Sequence, residues 1–370
     1  MSDSFKYAVK SSSRALQVAV NTEPAMKGLN QYLGKSGLKV SRVILGAMSF
    51  GTPEWQGWVL NEEESLPLLE YAFKAGIRTW DTADLYSHGE SEQIIGKAIK
   101  KFNLPREKLV ILTKVFFGVT PDTPSNQPGS TVANDGELLN QVGLSRKHIL
   151  DAVDQSIARL GTYIDVLQIH RLDRSIPFEE TMRALNDVVV SGKARYLGAS
   201  SMAAWEFQML QNIAHEHDWH KFISMQNYHN LIYREEEHEM VPYCNNRGIG
   251  LIPWSPIARG ALARPWGTRN TLREEKDHIL HLLVRGRDDQ VDEAIVNRVE
   301  EIAKKIGKTM AQVAIAWTLS KNMCPIVGLN KKERIDEAIE ATKFQLSEED
   351  INYLEELYLP RARLIHKSRS

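Results

Sequence analysis

The sequence predicts an α/β fold, a (β/α)8 TIM barrel, and three observations carry the prediction. Eight short runs rich in apolar and β-branched residues recur along the chain, each followed by an amphipathic stretch of helical period. Strict alternation of this kind implies parallel strands joined by right-handed crossovers. The repeated units fill residues 41–342, about the length a closed barrel of eight units needs.

The elements follow in order. Tyr32-Leu33-Gly34-Lys35-Ser36-Gly37-Leu38-Lys39-Val40 reads as a β-hairpin turning on its Gly/Lys/Ser centre, expected at the base of the barrel. Strand-like runs occupy 43–45, 77–80, 109–113, 166–169, 194–199, 223–226, 250–253 and 325–327. They read as apolar on both faces, as strands covered on both sides should. Helical patterns cover 62–74, 91–102, 146–160, 178–191, 202–217, 235–246, 292–306 and 332–342. The competing fold, a doubly wound open sheet, wants G-x-G-x-x-G after its first strand. The turn here reads Leu45-Gly46-Ala47-Met48-Ser49-Phe50-Gly51, which lacks that spacing.

Three connections are too long to be simple joints: 51–61, 116–145 and 259–291. Each follows a strand, so each belongs to the C-terminal mouth, where barrels build their sites. The expected organisation is a disordered leader at 1–28, one barrel domain at 29–358 and a tail at 359–370 that folds over the mouth or hangs loose. Asp3 and Glu23 argue against reading the leader as a transit peptide.

Bulk composition narrows the class. A formal net charge of −1 over 370 residues argues against nucleic acid or a membrane surface as the main partner. No apolar run approaches the ~20 residues that span a bilayer. Cys244 and Cys324 are too few for a disulfide framework, and no Asn-X-Ser/Thr acceptor occurs, so a reducing cytoplasmic setting is expected. His215-Glu216-His217-Asp218-Trp219-His220 is rich in ligand types, but residues two apart do not share a helix face and no metal is expected there.

Four residues suggest chemistry. Asp81 and Tyr86 follow the second run, Lys114 ends the third and His170 ends the fourth. Singly, these residues read as a surface aromatic, a solvated lysine and a core histidine. Together they bring a carboxylate, a phenol, an ammonium and an imidazole to the same end of successive strands. A free phenol has a pKa of about 10. A nearby ammonium stabilises the phenolate and lowers that value. Asp81 can hold Lys114 charged, and His170 can hydrogen-bond the same carbonyl oxygen that Tyr86 protonates. The set lacks a nucleophile, so an external reductant fits better than hydrolysis.

These residues, with Asp81-Thr82-Ala83-Asp84-Leu85-Tyr86, Gly89-Glu90-Ser91-Glu92, Leu112-Thr113-Lys114 and Asp165-Val166-Leu167-Gln168-Ile169-His170-Arg171-Leu172-Asp173, resemble the catalytic tetrad and flanking motifs of the aldo-keto reductases. The likeness runs from about residue 32 to 358 and is nearest the aryl-alcohol-dehydrogenase-like branch. It implies an NADPH-dependent carbonyl reductase, with Tyr86 as the acid and hydride from the nicotinamide. By the same resemblance, Ser200, Ser201 and Gln226, with Asp81, are expected at the nicotinamide, and Trp254 offers a face for its ring. Ser201 stands where many members have Asn. Ser255, Pro256, Ile257, Ala258, Arg259 and Gly260 resemble the loop around the pyrophosphate, assisted by Arg264. Gly328, Asn330, Lys331 and Arg334 match the segment that takes the adenosine 2′-phosphate, favouring NADP over NAD. Glu337 matches the adenine contact, and Ala338 replaces the usual Asn.

For substrate, Tyr86, His170, Trp55, Phe116 and Arg171 are expected contacts, with Trp58 and Phe117 beside them at the mouth. Arg171 can meet an anionic group or pair with Asp173. The expected partner is a small carbonyl compound. Two other classes compete. Non-catalytic cofactor-binding subunits resembling the potassium-channel β subunits usually carry Asn at the position of His170. A Schiff-base aldolase would use Lys114 and need no nicotinamide.

Overall fold

Eight parallel strands form the central sheet in the computed structural model, which describes residues 28–120, 134–286 and 290–363. In chain order a hairpin, β1 (Asn30–Tyr32) and β2 (Lys39–Ser41), precedes β3 (Ile44–Gly46), β4 (Thr79–Asp81), β5 (Val110–Val115), β6 (Ile164–Ile169), β7 (Ala194–Ser200), β8 (Phe222–Gln226), β9 (Gly250–Leu251) and β10 (Ile326–Val327). The spatial order is β10-β3-β4-β5-β6-β7-β8-β9, every pair parallel. Past β9, Trp254 bridges Ile326 in parallel, and the Ile326 N–H donates to the Pro253 carbonyl at 2.9 Å. That contact joins the two ends of the sheet into the barrel expected from the alternation.

The helices are α1 (Glu62–Lys74), α2 (Glu90–Lys101), α3 (Arg146–Leu160), α4 (Phe178–Val190), α5 (Ala204–Glu216), α6 (Met240–Arg247), α7 (Leu272–Lys276), α8 (His278–Leu280), α9 (Gln290–Ile306), α10 (Met310–Ser320), α11 (Lys332–Ala341) and α12 (Glu348–Glu355). Local chemistry sets several boundaries. Asn61 and Thr309 close capping boxes on Glu64 and Gln312, Ser145 caps His148 N–H, and Gly161 ends α3 at φ 67°.

Three departures from the sequence expectation stand out, two with physical reasons. The seventh unit holds two long helices, α9 and α10, so the one-to-one alternation fails there. α10 is buried from Met310 through Thr318 and shows no amphipathic stripe to read. The expected helix at 235–246 is a 3-10 turn, Glu235–Glu237, followed by α6. Pro242 cannot donate an i−4 bond, and starting α6 at Met240 places it in the first turn, where none is needed. A further helix, α12, follows the last unit.

The hairpin packs under the N-terminal ends of the strands: Lys35 N–H donates to Gly248 carbonyl at 2.7 Å. Leu33 and Val40 from the hairpin join Ile44, Leu112, Val166, Ile252, Cys324 and Ile326 in an apolar plug. Side chains alternate along a strand, so the inward residues two positions further on form the next layer. Those residues include Lys114 after Leu112 and Gln168 after Val166, and both are buried. A larger apolar shell lies between the sheet and the helices.

The expected leader lies outside the described residues but for Gly28. Of the tail, 359–363 is described and docks on the mouth side of the 235–239 turn and α9. Arg361 N–H donates to Glu235 Oε1 at 2.6 Å, its guanidinium pairs with Asp292, and Arg363 reaches Glu239 at 3.1 Å. No helix among the described residues is long and apolar enough to cross a membrane.

Gly96 lets α2 approach α3. A Cβ at Gly96 would lie 2.7 Å from the Arg159 and Leu160 carbonyl oxygens. Alanine would gain about 1 kcal/mol of helix propensity. Forcing the backbones apart costs about 1–3 kcal/mol. Gly96→Ala is therefore expected to lower the urea midpoint at unchanged slope; a raised midpoint would show that the helices separate freely.

Candidate active site

The loop between Asp81 and Tyr86 is fixed by buried polar residues. Thr82 Oγ1 and Ser91 Oγ are 2.8 Å apart, and Ser91 donates to the Ala47 carbonyl at 3.0 Å. Glu92, fully buried, accepts from Thr113 Oγ1 at 2.5 Å and Arg159 Nε at 2.6 Å. These bonds tie the start of α2 to β4 and β5. Ser87 and His88 then turn through φ 49° and 51°, conformations that non-glycine residues adopt only when their surroundings hold them.

Four strands supply one interior network. Lys114 Nζ donates to Asp81 Oδ2 at 2.6 Å, to the Thr82 carbonyl at 2.8 Å and to Tyr86 OH at 3.3 Å. Asp81 Oδ1 accepts from Gln168 Nε2 at 3.0 Å and from Gln226 Nε2 at 2.9 Å. Gln226 Nε2 also donates to Gln168 Oε1 at 2.8 Å. His170 stands edge-on to the Tyr86 ring, centroids 6.0 Å apart, and edge-on to Phe117 at 5.0 Å. The four residues singled out as a proton-transfer set thus meet at one place.

A cavity of about 390 Å³ opens above this network. Its wall at the Tyr86 end includes Met48, Trp55, Leu85, Phe117, His170 and Arg171. Further along lie Ser200, Gln226, Trp254, Ser255, Pro256 and Ile257, then Arg259, Gly260, Arg264, Gly328, Arg334 and Glu337. Phe117 rather than Phe116 faces the cavity. Phe116 packs on the core. Trp58 lies beneath the Arg273 guanidinium, 3.3 Å from its ring centroid. Ser201, Ala258, Asn330 and Lys331 are not among the residues lining the cavity. Ser201 Oγ accepts from Trp254 Nε1 at 3.4 Å, and Asn330 Oδ1 accepts from Arg334 Nη1 at 2.5 Å. Ala258, Arg259 and Gly260 curl through successive positive φ values of 46°, 55° and 104°.

Several contributors carried no signal in the sequence. Gln168 looked like one residue of an apolar strand. Gly198 makes room for it, because a Cβ there would lie 2.9 Å from Gln168 Cγ. Arg273 and Ile279 reach the cavity from the 259–291 connection. Asp277, fully buried, anchors that connection by pairing with Arg259 at 2.8 Å and Arg273 at 2.6 Å. Asp173 does not meet Arg171: its Oδ2 accepts the Leu144 N–H at 2.9 Å and its Oδ1 the Ser175 N–H at 3.0 Å.

Burial is the largest influence on the titration of the site. Burial raises the Tyr86 phenol above its ordinary value, outweighing the opposite pull of Lys114. The sequence argument gave the right sign for Lys114 and omitted the larger effect. Burial works against the Lys114 ammonium too, but Asp81 and Tyr86 more than offset it and the group lies above the usual lysine value. Burial, then the Arg171 and Lys114 charges, hold His170 well below the normal imidazole range. Its Nδ1 has no partner among the described residues.

His170 therefore stays neutral while an unfolded imidazole titrates near pH ~6.5. Below that pH the unfolded state binds a proton that the folded state refuses. This group's contribution then disfavours folding by at most about 1.4 kcal/mol per pH unit. The loss of urea midpoint between about pH 7.5 and about pH 5 should be smaller in His170→Gln than in the parent chain. Equal losses would mean that folded His170 takes up the proton.

Sequence comparison agrees with this architecture. The family model for the aldo/keto reductase family matches residues 42–359. The versiconal hemiacetal acetate reductase of Aspergillus parasiticus is 67% identical over 332 residues, covering 89% of this chain and 97% of that protein. A Schizosaccharomyces pombe protein provisionally named an aryl-alcohol dehydrogenase is 54% identical over 89% of this chain and 95% of its own length. An aldo-keto reductase of Fusarium vanettenii is 48% identical, covering 90% and 91%. The chain belongs to the aldo-keto reductase family and is an oxidoreductase of its aryl-alcohol-dehydrogenase-like branch.

Proposed function

We propose that the protein reduces an aromatic or apolar aldehyde or ketone to the alcohol, with NADPH as reductant and Tyr86 as proton donor. The observation that carries this reading is the Lys114 ammonium lying between Asp81 and the Tyr86 hydroxyl, at 2.6 and 3.3 Å, beneath a cavity that also collects arginines. As a carbonyl is reduced, negative charge develops on its oxygen. Tyr86 would give that oxygen its proton, and Lys114 would stabilise the phenolate left behind. A raised phenol pKa keeps Tyr86 protonated until that moment. Neutral His170 would orient the carbonyl by hydrogen bonding. Burial makes the Lys114 charge act at low dielectric, where it is strongest.

The residues present fit a dinucleotide. Arg259, Arg264, Arg273 and Arg334 all line the cavity, and Gly260 keeps the Arg264 guanidinium free of a Cβ that would come within 2.6 Å. Ser255 to Gly260 and Arg264 would hold the pyrophosphate, with backbone N–H groups, a hydroxyl and cations. Arg334 and Lys331, beside the start of α11, would hold a 2′-phosphate, with Gly328 and Asn330 shaping the turn. Glu337 would meet the adenine. Ser200, Ser201, Gln226 and Trp254 would position the nicotinamide, which supplies hydride when bound. Gln226 spends its amide N–H groups on Asp81 and Gln168, so it would offer Oε1 as an acceptor. A cytoplasmic setting fits two unpaired cysteines, whose thiols burial pushes up to about 12.

The name of the Aspergillus parasiticus relative joins a hemiacetal to an acetate ester, and a hemiacetal is in equilibrium with its aldehyde. A bulky oxygenated aldehyde is therefore among the substrates to try first. With 4-nitrobenzaldehyde as a simple probe, reduced-cofactor absorbance should fall, and Tyr86→Phe should slow this by about 10²–10⁴-fold while NADPH still binds. Parent-rate reduction by that variant removes Tyr86 from the role. No turnover by the parent chain with cofactor bound would favour the regulatory-subunit reading instead. Arg334→Gln should weaken NADPH by about 5- to 100-fold, as expected for loss of a charge-assisted bond, and NADH far less. Equal effects would place Arg334 away from the 2′-phosphate.

A further inference from the structure

Arg171 follows His170 at the mouth end of β6 and lines the cavity beside Tyr86. Its Nη1 donates to the His170 carbonyl at 2.6 Å. A guanidinium carries five N–H donors, so most of its capacity is left over. No carboxylate among the described residues pairs with it. Asp173, the acid nearest in sequence, is turned to the Gly143-Leu144 backbone and Ser175.

Three of the other cations of the cavity are paired with carboxylates, and two are bonded to neutral side chains. Lys114 is neutralised by Asp81, and Arg259 and Arg273 share Asp277. Arg264 donates to Thr271 Oγ1 at 2.6 Å and Arg334 to Asn330 at 2.5 Å, both at the far end. The Tyr86 end therefore holds one uncompensated positive charge set among Met48, Trp55, Leu85 and Phe117. Such a charge is costly in apolar surroundings unless something pairs with it. Burial already draws the guanidinium down to about 10. Arg171 lines the cavity, and a planar fork of N–H groups matches a carboxylate in shape and charge.

We propose that Arg171 selects the substrate: the preferred carbonyl compounds have a flat apolar body bearing a carboxylate, which Arg171 pairs while Tyr86 and His170 engage the carbonyl. This rests on the carbonyl-reductase reading and narrows it to anionic aldehydes or ketones. The wall offers both halves, aromatic rings for the body and the Arg171 guanidinium for the anion.

The test compares 3- and 4-carboxybenzaldehyde with their methyl esters, using the full-length chain and NADPH. The parent chain should favour at least one acid over its ester by about tenfold or more in kcat/KM, mainly through KM. In Arg171→Gln that acid-to-ester ratio should fall by about 10- to 100-fold, and Arg171→Lys should recover part of it. NADPH binding, followed by fluorescence, checks that each variant is folded. An unchanged ratio with both rates lowered would mean that Arg171 acts only through His170 or Tyr86, and the proposal would be wrong. Absence of any acid preference in the parent chain overturns it without a variant. If the parent chain turns over neither acid nor ester, the reductase reading itself fails and takes this one with it.

Discussion

A lysine ammonium 1% exposed inside a barrel is the constraint on which the rest of the site depends. Left alone, it would cost several kcal/mol of desolvation. Asp81 at 2.6 Å and the Thr82 carbonyl at 2.8 Å offset that cost, and both belong to β4 or the residue just after it. Asp81 in turn needs its second oxygen satisfied, and two amides from β6 and β8 do this. One buried charge thereby fixes the side chains of four strands. Tyr86 OH, at 3.3 Å, is the longest of the three contacts of the ammonium.

The network also explains the layering of the barrel. Below it lies an apolar cluster to which the hairpin contributes Leu33 and Val40. The Lys114–Asp81 pair is almost fully buried, so solvent screens it little. Above it the cavity is polarised along its length. One end carries paired or hydrogen-bonded arginines near the start of α11. The other carries a neutral imidazole, a protonated phenol and the free side of Arg171. Long connections roof both ends, anchored where Asp277 holds Arg259 and Arg273.

Much of this was legible from the chain. The strand runs lie within a few residues of their observed positions, because strands covered on both faces must be apolar throughout. Helices with one buried stripe, such as α1 and α3, were read from that stripe at their observed spans. α10 was missed for the opposite reason: buried on all sides, it has no stripe. The Lys114 and Tyr86 positions were readable because a charge or a phenol at the end of an apolar run has no packing purpose. Gln168 was not, since an amide within a strand is unremarkable until its partners are known.

The sequence by itself determined the alternation of strand and helix, the placing of Asp81, Tyr86, Lys114 and His170 at one end of successive strands, and the family they belong to. Tertiary structure decided what those side chains do to one another. Burial of the Tyr86 phenol outweighs the pull of its lysine neighbour, and that balance depends on how much water the closed barrel excludes. It also decided that Asp173 turns to the backbone and leaves Arg171 without a carboxylate partner among the described residues, and that Asp277 pairs with Arg259. Pairing among charges is a matter of distances across the fold, and spacing along a chain does not encode them.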